Sequence, residues 1–284
     1  MEPTQIARGY CHVCGSHTIF KSYEPVDFPC KRNSFICEKC GSSARNRHIA
    51  KSVLDLWKRG DSRASLGKFA KEFRGTVFVT STTGAIVEFL APLGDRLVTS
   101  EYVDGASSGE RRNGVLCEDI QDTSFDDGSF DLVITEDVLE HVPHPDMAFA
   151  EIRRILSPGG YHVSTIPVKW HLVKSEPRAI IKGGAIVHLQ EPEYHLDPTR
   201  AEGILAFTDY GQDILARYCN IIGRSEMLAA HGDLDMERAY AIYNNWVFLS
   251  QRQRAASQTS DPWTRPARRW MRGLAMFGHR QNNG

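Results

Sequence analysis

Four cysteines near the start of the chain have the residue type and spacing of a metal site. Cys11 and Cys14 form one CxxC pair, and Cys37 and Cys40 form a second, with 22 residues between the two pairs. Each pair is followed by a glycine, which lets the backbone turn close to the sulfur atoms. Four thiolates complete a tetrahedral Zn²⁺ shell, so the sequence predicts a structural zinc ion with no open coordination position.

The residues around these cysteines leave alternatives open. Cys30, His12 and His17 could each replace one ligand, and a reduced loop without metal is the alternative to the whole site. The chain has seven cysteines, an odd number, and five of them precede residue 41. In a reducing compartment such clustering favours metal binding over disulfides.

Three short apolar runs predict strands that must position other reactive residues: Gly114–Cys117, Phe130–Thr135 and Tyr161–Ile166. They are close to continuously apolar, as in parallel strands buried on both faces. Between the second and third runs, apolar residues recur at helical spacing, at Met147, Phe149, Ile152, Ile155 and Leu156. The SPGG segment that follows ends the predicted helix. Strand, helix and strand together predict a βαβ unit.

The same stretch carries a resemblance to a known family. Its sequence, DTSFDDGSFDLVITEDVLEHVPHPDMAFAEIRRILSPGGYHVSTIP, resembles the second half of class I S-adenosylmethionine-dependent methyltransferases of the type-11 branch. The ordered set of FD, LEHV, EIRRIL and PGG carries the resemblance. It implies an α/β fold, with a doubly wound, mostly parallel, seven-stranded Rossmann-like sheet, and it implies S-adenosylmethionine as the cofactor.

The resemblance also implies where the cofactor binds. Gly75–Gly84 should be the first strand and its turn, and Ala85–Leu90 the first helix. The turn reads TSTTG and departs from the family's acidic-x-Gly-x-Gly-x-Gly pattern, where glycines let the backbone approach the ligand. The residues expected to bind the cofactor are Thr80, Ser81, Gly84, Glu101, Tyr102, Asp119, Ile120 and Thr135.

Glu101 has an independent argument. It ends the second predicted strand about 20 residues beyond the turn, where dinucleotide-type folds place the carboxylate that accepts the ribose hydroxyls. A plain surface acid is the alternative. Tyr102 could stack on adenine, and the resemblance places Asp119 near the adenine amino group.

Three residues are candidates for catalysis: Glu136, His141 and His195. Methyl transfer is an in-line displacement, so alignment supplies much of the acceleration. A general base is needed only if the acceptor is a hydroxyl or an ammonium group. For His141 the favoured alternative is a hydrogen bond that holds its loop. His195 could act as a base or bind the acceptor, and a hydrogen bond that holds the lid to the core is an equally supported alternative.

The segment after the βαβ unit predicts a lid and the end of the sheet. Residues 168–208 form a long insertion, and such loops are often functional. Its end, PEYHLDP followed by GILAFTDYGQDIL, resembles the same methyltransferase branch. Thr208 or Asp209 is expected to cap a helix that reaches Ile221, and Asn244–Ser250 to form a final antiparallel strand at the sheet edge.

A helix is also predicted after the second cysteine pair. Ser42 or Ser43 can cap it, and Ile49, Val53 and Leu54 give it an apolar face. Its first turns carry Arg45, Arg47 and His48. A solvated face beside the zinc loop is the favoured interpretation, and contact with an anion is the alternative.

Composition narrows the classes of function. The net charge of -1 argues against nucleic acid as a partner. No apolar run reaches the roughly 18–20 residues that span a bilayer, and the first residues have no signal-peptide core, so a cytoplasmic location is expected. Residues 251–284 form a basic, aromatic tail. It is expected to be flexible, with contact to an anionic membrane surface as the alternative.

These observations divide the chain into an N-terminal module of residues 1–60, with zinc and a linker helix, a methyltransferase domain of residues 61–250, and the tail. The predicted function is methyl transfer from S-adenosylmethionine to a small-molecule, glycan or nucleotide-sugar acceptor. The choice of acceptor is an analogy, because a fold does not fix function. An RNA methyltransferase and a non-catalytic scaffold, suggested by the TSTTG turn, are the alternatives.

Overall fold

The structure, a computed structural model, describes most of the chain. The described residues are 2–27, 31–58, 60–61, 63–197, 200–230, 234–242 and 245–254. Cys30 and the predicted tail from residue 255 onward lie outside them. The tail's flexibility and its membrane contact therefore stay predictions.

The N-terminal module is a small antiparallel sheet followed by a helix, and a second helix leads into the rest of the chain. These elements are β1 (Gln5–Cys11), β2 (Ser16–Ser22), β3 (Ile36–Cys37), α1 (Ala44–Trp57) and α2 (Leu66–Glu72). Helix α1 begins with a reciprocal capping box, in which Ser43 accepts from the backbone of Asn46 and Asn46 accepts from the backbone of Ser43. The predicted cap at Ser43 is confirmed.

The central part alternates strands and helices. Its elements are β4 (Val77–Val79), α3 (Ala85–Leu90), a 3₁₀ turn (Ala91–Arg96), β5 (Leu97–Thr99), β6 (Arg111–Arg112), β7 (Val115–Leu116), β8 (Phe130–Glu136), a second 3₁₀ turn (Leu139–His141), α4 (Pro145–Ile155) and β9 (Leu156–Thr165). Helix α3 has the bounds that the sequence predicts, and the βαβ unit of β8, α4 and β9 is confirmed.

The last part contains short paired strands, two further helices and the end of the sheet. The short segments number six and form three pairs: β10 (Glu176–Pro177) with β15 (Thr208–Asp209), β11 (Ala179–Lys182) with β12 (Ala185–His188), and β13 (Tyr194–Asp197) with β14 (Arg200–Leu205). The other elements are α5 (Ile214–Ile221), β16 (Arg224–Ala229), α6 (Leu234–Tyr240) and β17 (Trp246–Gln251). Among the described residues no helix is both long and apolar enough to cross a membrane.

The central sheet has six strands in the order β16-β17-β9-β8-β4-β5, not the seven that the resemblance implies. Strands β9, β8, β4 and β5 are parallel, and β17 and β16 are antiparallel. The predicted strand Gly114–Cys117 keeps only one parallel bridge to the sheet, from Cys117 to Glu101. Its residues Val115–Leu116 pair instead with Arg111–Arg112 as the β6–β7 hairpin, and the backbone of Cys117 bonds to Gly109 and Glu110 on its other edge.

Other boundaries differ from the sequence-based expectation. Thr208 and Asp209 do not cap a helix, because they pair with Glu176–Pro177 as β15, and α5 begins only at Ile214. Strand β17 is antiparallel as predicted, but β16 covers it and takes the edge position. Leu156 begins β9 instead of ending the helix, and Met147 is exposed.

Apolar residues cover both faces of the sheet. On one face, Val77, Val79 and Leu132 pack in the same core as Val13, Phe20 and other residues of the N-terminal module. On the other face, α4 and α5 pack against Phe78 and Val133. The N-terminal module and the sheet therefore share one continuous core.

Candidate active site and four-cysteine cluster

The four cysteines of the predicted zinc site lie together at one end of the small sheet. Their Sγ atoms are all within 4.8 Å of one another, with 3.7 Å between Cys11 and Cys40 and 4.0 Å between Cys14 and Cys37. Zn–S bonds of about 2.3 Å give a tetrahedron whose edges are roughly 3.8 Å. The arrangement therefore fits a tetrahedral metal ion.

The two histidines near the cluster are not among its four members. His12 is buried, and its Nδ1 lies 3.4 Å from the carbonyl oxygen of Ala64. His17 packs edge-on against the ring of Tyr10. The cysteines that the structure describes are all free of disulfide bonds.

A cavity of about 1310 Å³ lies at the carboxyl ends of β4, β5 and β8. In open parallel sheets this edge is where ligands bind. Most of the residues predicted to bind the cofactor line it together: Thr80, Ser81, Gly84, Glu101, Tyr102, Asp119 and Ile120.

The TSTTG turn is held by the predicted ribose-binding acid. One oxygen of Glu101 accepts hydrogen bonds from the backbone N–H of Thr82 at 2.7 Å and from its hydroxyl at 2.8 Å. Gly84 has a φ of 95°, which favours glycine, and open space lies where a Cβ would stand. The turn is therefore ordered, and backbone at Gly84 is open to the cavity.

Thr135 is the predicted cofactor residue that the structure places elsewhere. Its side chain is fully buried in β8, where its hydroxyl lies 2.9 Å from Nε2 of His162. Burial lowers the pKa of His162 to about 3, so this imidazole is neutral. Side chains alternate along a strand, and Thr135 faces the interior while Glu136 faces the cavity.

The acids that follow β8 are already paired. Asp137 forms ion pairs with Arg32 and Arg45. Glu136 accepts a hydrogen bond from the side-chain amide of Asn46 at 2.7 Å and lies 3.6 Å from Nε of Arg45. The N-terminal module thus places cations directly on the two carboxylates at the end of the strand.

Burial and these cations set the protonation of the two acids. Burial raises the pKa of Glu136, and Arg45 offsets only part of that increase. Burial also acts to raise the pKa of Asp137, but Arg32 and Arg45 together reverse it and leave the value below its ordinary range. Asp137 is therefore an ion-paired carboxylate, and neither acid is an unpartnered base.

The prediction of a solvated face on α1 is wrong. Arg47 is fully buried, and its guanidinium donates to the carbonyl oxygens of Ser42, Tyr240 and Ala241. His48 is buried as well. Sequence reasoning also missed Arg32 and Asn46. The signal that could have indicated them is the adjacent Glu136 and Asp137, since two acids that end a buried strand require compensating charge.

The remaining catalytic candidates lie at the lid side of the cavity. Nδ1 of His141 lies 2.9 Å from the carbonyl oxygen of Leu205, and Nε2 of His195 lies 3.2 Å from a carboxylate oxygen of Glu193. The two imidazole rings meet edge to face, with their centroids 4.8 Å apart. Both rings border the cavity.

A third acid, Glu140, lies behind these rings. Its carboxylate is buried, and one oxygen is 3.7 Å from Nε2 of His141 and 3.7 Å from Nδ1 of His195. The Glu140 carboxylate raises the pKa of His195, burial opposes this, and Glu193 adds to the increase. The structure therefore gathers a Glu–His–His cluster, although the spacing of the sequence did not predict its acid.

Comparison with known proteins is consistent with this cavity. Residues 79–164 match the family described as methyltransferase domain. Over 93 residues the chain is 34% identical to the highly reducing polyketide synthase ltbA of Aspergillus luteorubrus, which is 33% of this chain and 3% of that protein. The chain thus spans 3% of the length of this curated relative.

Solved structures are similar at low identity. A SAM-dependent methyltransferase from Methanosarcina mazei is 14% identical, with 65% of this chain and 95% of that chain covered and a TM-score of 0.37. A protein from Pyrococcus horikoshii is 17% identical, with 74% and 91% covered and a TM-score of 0.41. The stretch that matches the methyltransferase-domain family runs from the end of β4 to the end of β9.

Proposed function

We propose that this protein transfers the methyl group of S-adenosylmethionine to a small polar acceptor, such as a hydroxyl or amine of a glycan or nucleotide sugar. The observation that supports this proposal is that one cavity borders the TSTTG turn, Glu101 and the histidines of the lid. At about 1310 Å³ it exceeds the roughly 300–1,000 Å³ of a typical ligand site. There is room for a cofactor and a small acceptor side by side.

The residues of the cavity fit the cofactor. The backbone around Gly84 is open to close approach, Glu101 would accept hydrogen bonds from the ribose hydroxyls, and Asp119 and Ile120 would contact the adenine. When bound, S-adenosylmethionine supplies an electrophilic methyl group on a sulfonium. The protein would hold the acceptor in line with that group, which accounts for much of the acceleration in such displacements.

The acceptor end of the cavity is assigned to the lid side. Glu136 already accepts from Asn46 and faces Arg45, so it is poorly suited to take a proton from an acceptor. His141 and His195 border the same cavity, as does Tyr194, which is half exposed. A polar acceptor that enters under the lid would meet these side chains first.

The four-cysteine cluster is assigned a structural Zn²⁺ ion. The sulfur distances match a tetrahedral shell, and four thiolates leave no position for substrate. The ion would hold the module that carries Arg32 and Arg45 to the end of β8. Its proposed role is therefore support of the cavity wall and not chemistry.

Calorimetric titration with S-adenosylmethionine and S-adenosylhomocysteine tests the proposal. We expect micromolar binding, followed by methyl transfer in a screen of sugar acceptors. Glu101→Ala should weaken binding by about tenfold or more, because hydrogen bonds to a charged group contribute about 1.5–3 kcal/mol. Folded protein that binds neither compound at millimolar concentration would instead favour the scaffold alternative.

A further inference from the structure

The Glu–His–His cluster has an unusual pattern of donors and acceptors. A carbonyl oxygen can only accept, so the Nδ1–H group of His141 donates a hydrogen bond to the carbonyl oxygen of Leu205. The carboxylate of Glu193 likewise accepts a hydrogen bond from the Nε2–H group of His195. In a neutral imidazole the other nitrogen then carries a lone pair. Both lone pairs point to the side of Glu140.

Glu140 adds a third acceptor to the same place. Its residue is 1% exposed, and neither of its carboxylate oxygens has a hydrogen-bond partner. Buried carboxylates are normally paired or bound to a metal, because an isolated buried charge is costly. Three possible electron-pair donors therefore converge within 4.8 Å of one another.

We propose that Glu140, His141 and His195 bind a divalent transition-metal ion that no part of the methyltransferase assignment requires. Two imidazoles and one carboxylate are a known ligand set for Zn²⁺, Fe²⁺ and related ions, with a position left open for water or substrate. The three ligand atoms lie within 4.8 Å of one another. Metal bonds of about 2.1 Å place such atoms roughly 3.0–3.4 Å apart, so small side-chain movements suffice.

The outer hydrogen bonds have the form expected around a metal. Ligating histidines usually donate their second N–H to a carbonyl or a carboxylate, which fixes the tautomer and the ring orientation. Leu205 and Glu193 do this for His141 and His195, and both belong to the lid. The ion would thus join the lid to the loop after β8.

Both imidazoles border the cavity, so an ion held between them and Glu140 would lie next to its acceptor end. The ion would coordinate a hydroxyl oxygen of the acceptor and lower its pKa, as metals do for bound water. The hydroxyl proton would pass to solvent water. The oxygen would form its bond to the methyl carbon as the carbon–sulfur bond of the sulfonium breaks. This role rests on the proposed function, whereas binding of the ion does not.

Cobalt(II) is a suitable probe. Full-length protein is loaded with one equivalent of Zn²⁺ to fill the cysteine cluster and is then titrated with Co²⁺ by calorimetry and visible absorption. We expect one equivalent of Co²⁺ to bind, with the bands of nitrogen and oxygen coordination and without thiolate charge transfer. Co²⁺ that binds only with thiolate charge transfer, or not at all, would overturn the proposal.

Variants locate the ion. His195→Ala and the nearly isosteric Glu140→Gln should each weaken Co²⁺ binding by more than about tenfold, since even outer-shell changes cost 10–100-fold. His144→Ala is the matched control, because His144 borders the same cavity but is not in the cluster. Circular dichroism and zinc content check that each variant is folded. Wild-type Co²⁺ affinity in folded Glu140→Gln would refute the assignment.

The two proposals fail independently. Co²⁺ binding without any binding of S-adenosylhomocysteine would keep the metal site and remove the methyltransferase function. If the protein binds S-adenosylhomocysteine but not Co²⁺, the methyltransferase function stands and the metal proposal is wrong. Protonated histidines would then balance the charge of Glu140.

Discussion

Asp137 and Glu140 lie three residues apart after the same strand, but their surroundings are opposite. Asp137 faces the N-terminal module, where Arg32 and Arg45 pair with it. Glu140 faces the lid, where both its oxygens lack hydrogen-bond donors and two imidazoles approach it. A carboxylate that is paired with arginines stabilises the fold, whereas a buried carboxylate without hydrogen-bond donors is suited to bind a cation.

Removal of zinc should have the largest effect, because it should disrupt the module whose arginines pair with Asp137 and leave the surroundings of Glu140 in place. The cations that pair with Asp137 belong to the module, and binding of zinc by such modules commonly supplies their folding free energy, about 10–16 kcal/mol in zinc-finger peptides. Cys37→Ser should therefore abolish zinc binding and unfold the module, which exposes Asp137. Zinc content and the thermal unfolding midpoint measure both effects.

Cys219→Ser is the matched control, because Cys219 is exposed and lies outside the cluster. It should keep both the zinc and the unfolding midpoint. Metal-free protein that unfolds at the same temperature as the zinc-loaded form would show that the shared apolar core, and not the ion, holds the module to the sheet.

Loss of one arginine should have an intermediate effect. Arg45→Ala leaves Asp137 with one cation and Glu136 with Asn46 alone, and breaking a largely buried pair in this way costs about 3–5 kcal/mol. Chemical denaturation measures the free energy of unfolding. Arg8→Ala, at an exposed position on β1, should change it by less than about 0.5 kcal/mol. Equal values for the two variants would show that the ion pairs contribute nothing.

The two acids also show which features of the structure could be predicted from the sequence and which could not. The strands β4 and β8 and the helix α3 are local, continuous apolar signals, and the structure has them where the residues predict. The CxxC pairs likewise bring four sulfur atoms together. Each strand, helix and CxxC pair is a pattern within a few residues, although the two cysteine pairs meet across 23 to 29 residues.

The surroundings of Asp137 and Glu140 arise from contacts that are distant in the chain. Arg32 meets Asp137 across 105 residues, and no periodicity encodes that contact. The missing seventh strand has a different origin: Gly114–Cys117 is apolar enough for a strand, but Val115–Leu116 pair with Arg111–Arg112 as a hairpin. Local pattern predicts elements, and the packing of those elements decides which acids are paired.

Glu140→Gln should have the smallest effect on the free energy of unfolding, and its comparison with Asp137→Asn distinguishes the two acids most clearly. In zinc-loaded protein without other metal, Asp137→Asn removes the charge that both arginines face, and we expect a loss of about 3 kcal/mol in the free energy of unfolding. Glu140→Gln removes a buried charge that has no hydrogen bond to lose. Because an amide costs less to bury than a carboxylate, stability should stay within about 1 kcal/mol or rise. If Glu140→Gln destabilises the protein as much as Asp137→Asn, Glu140 has a cationic partner within the chain. Both acids would then be ion-paired, and the contrast between them would be wrong.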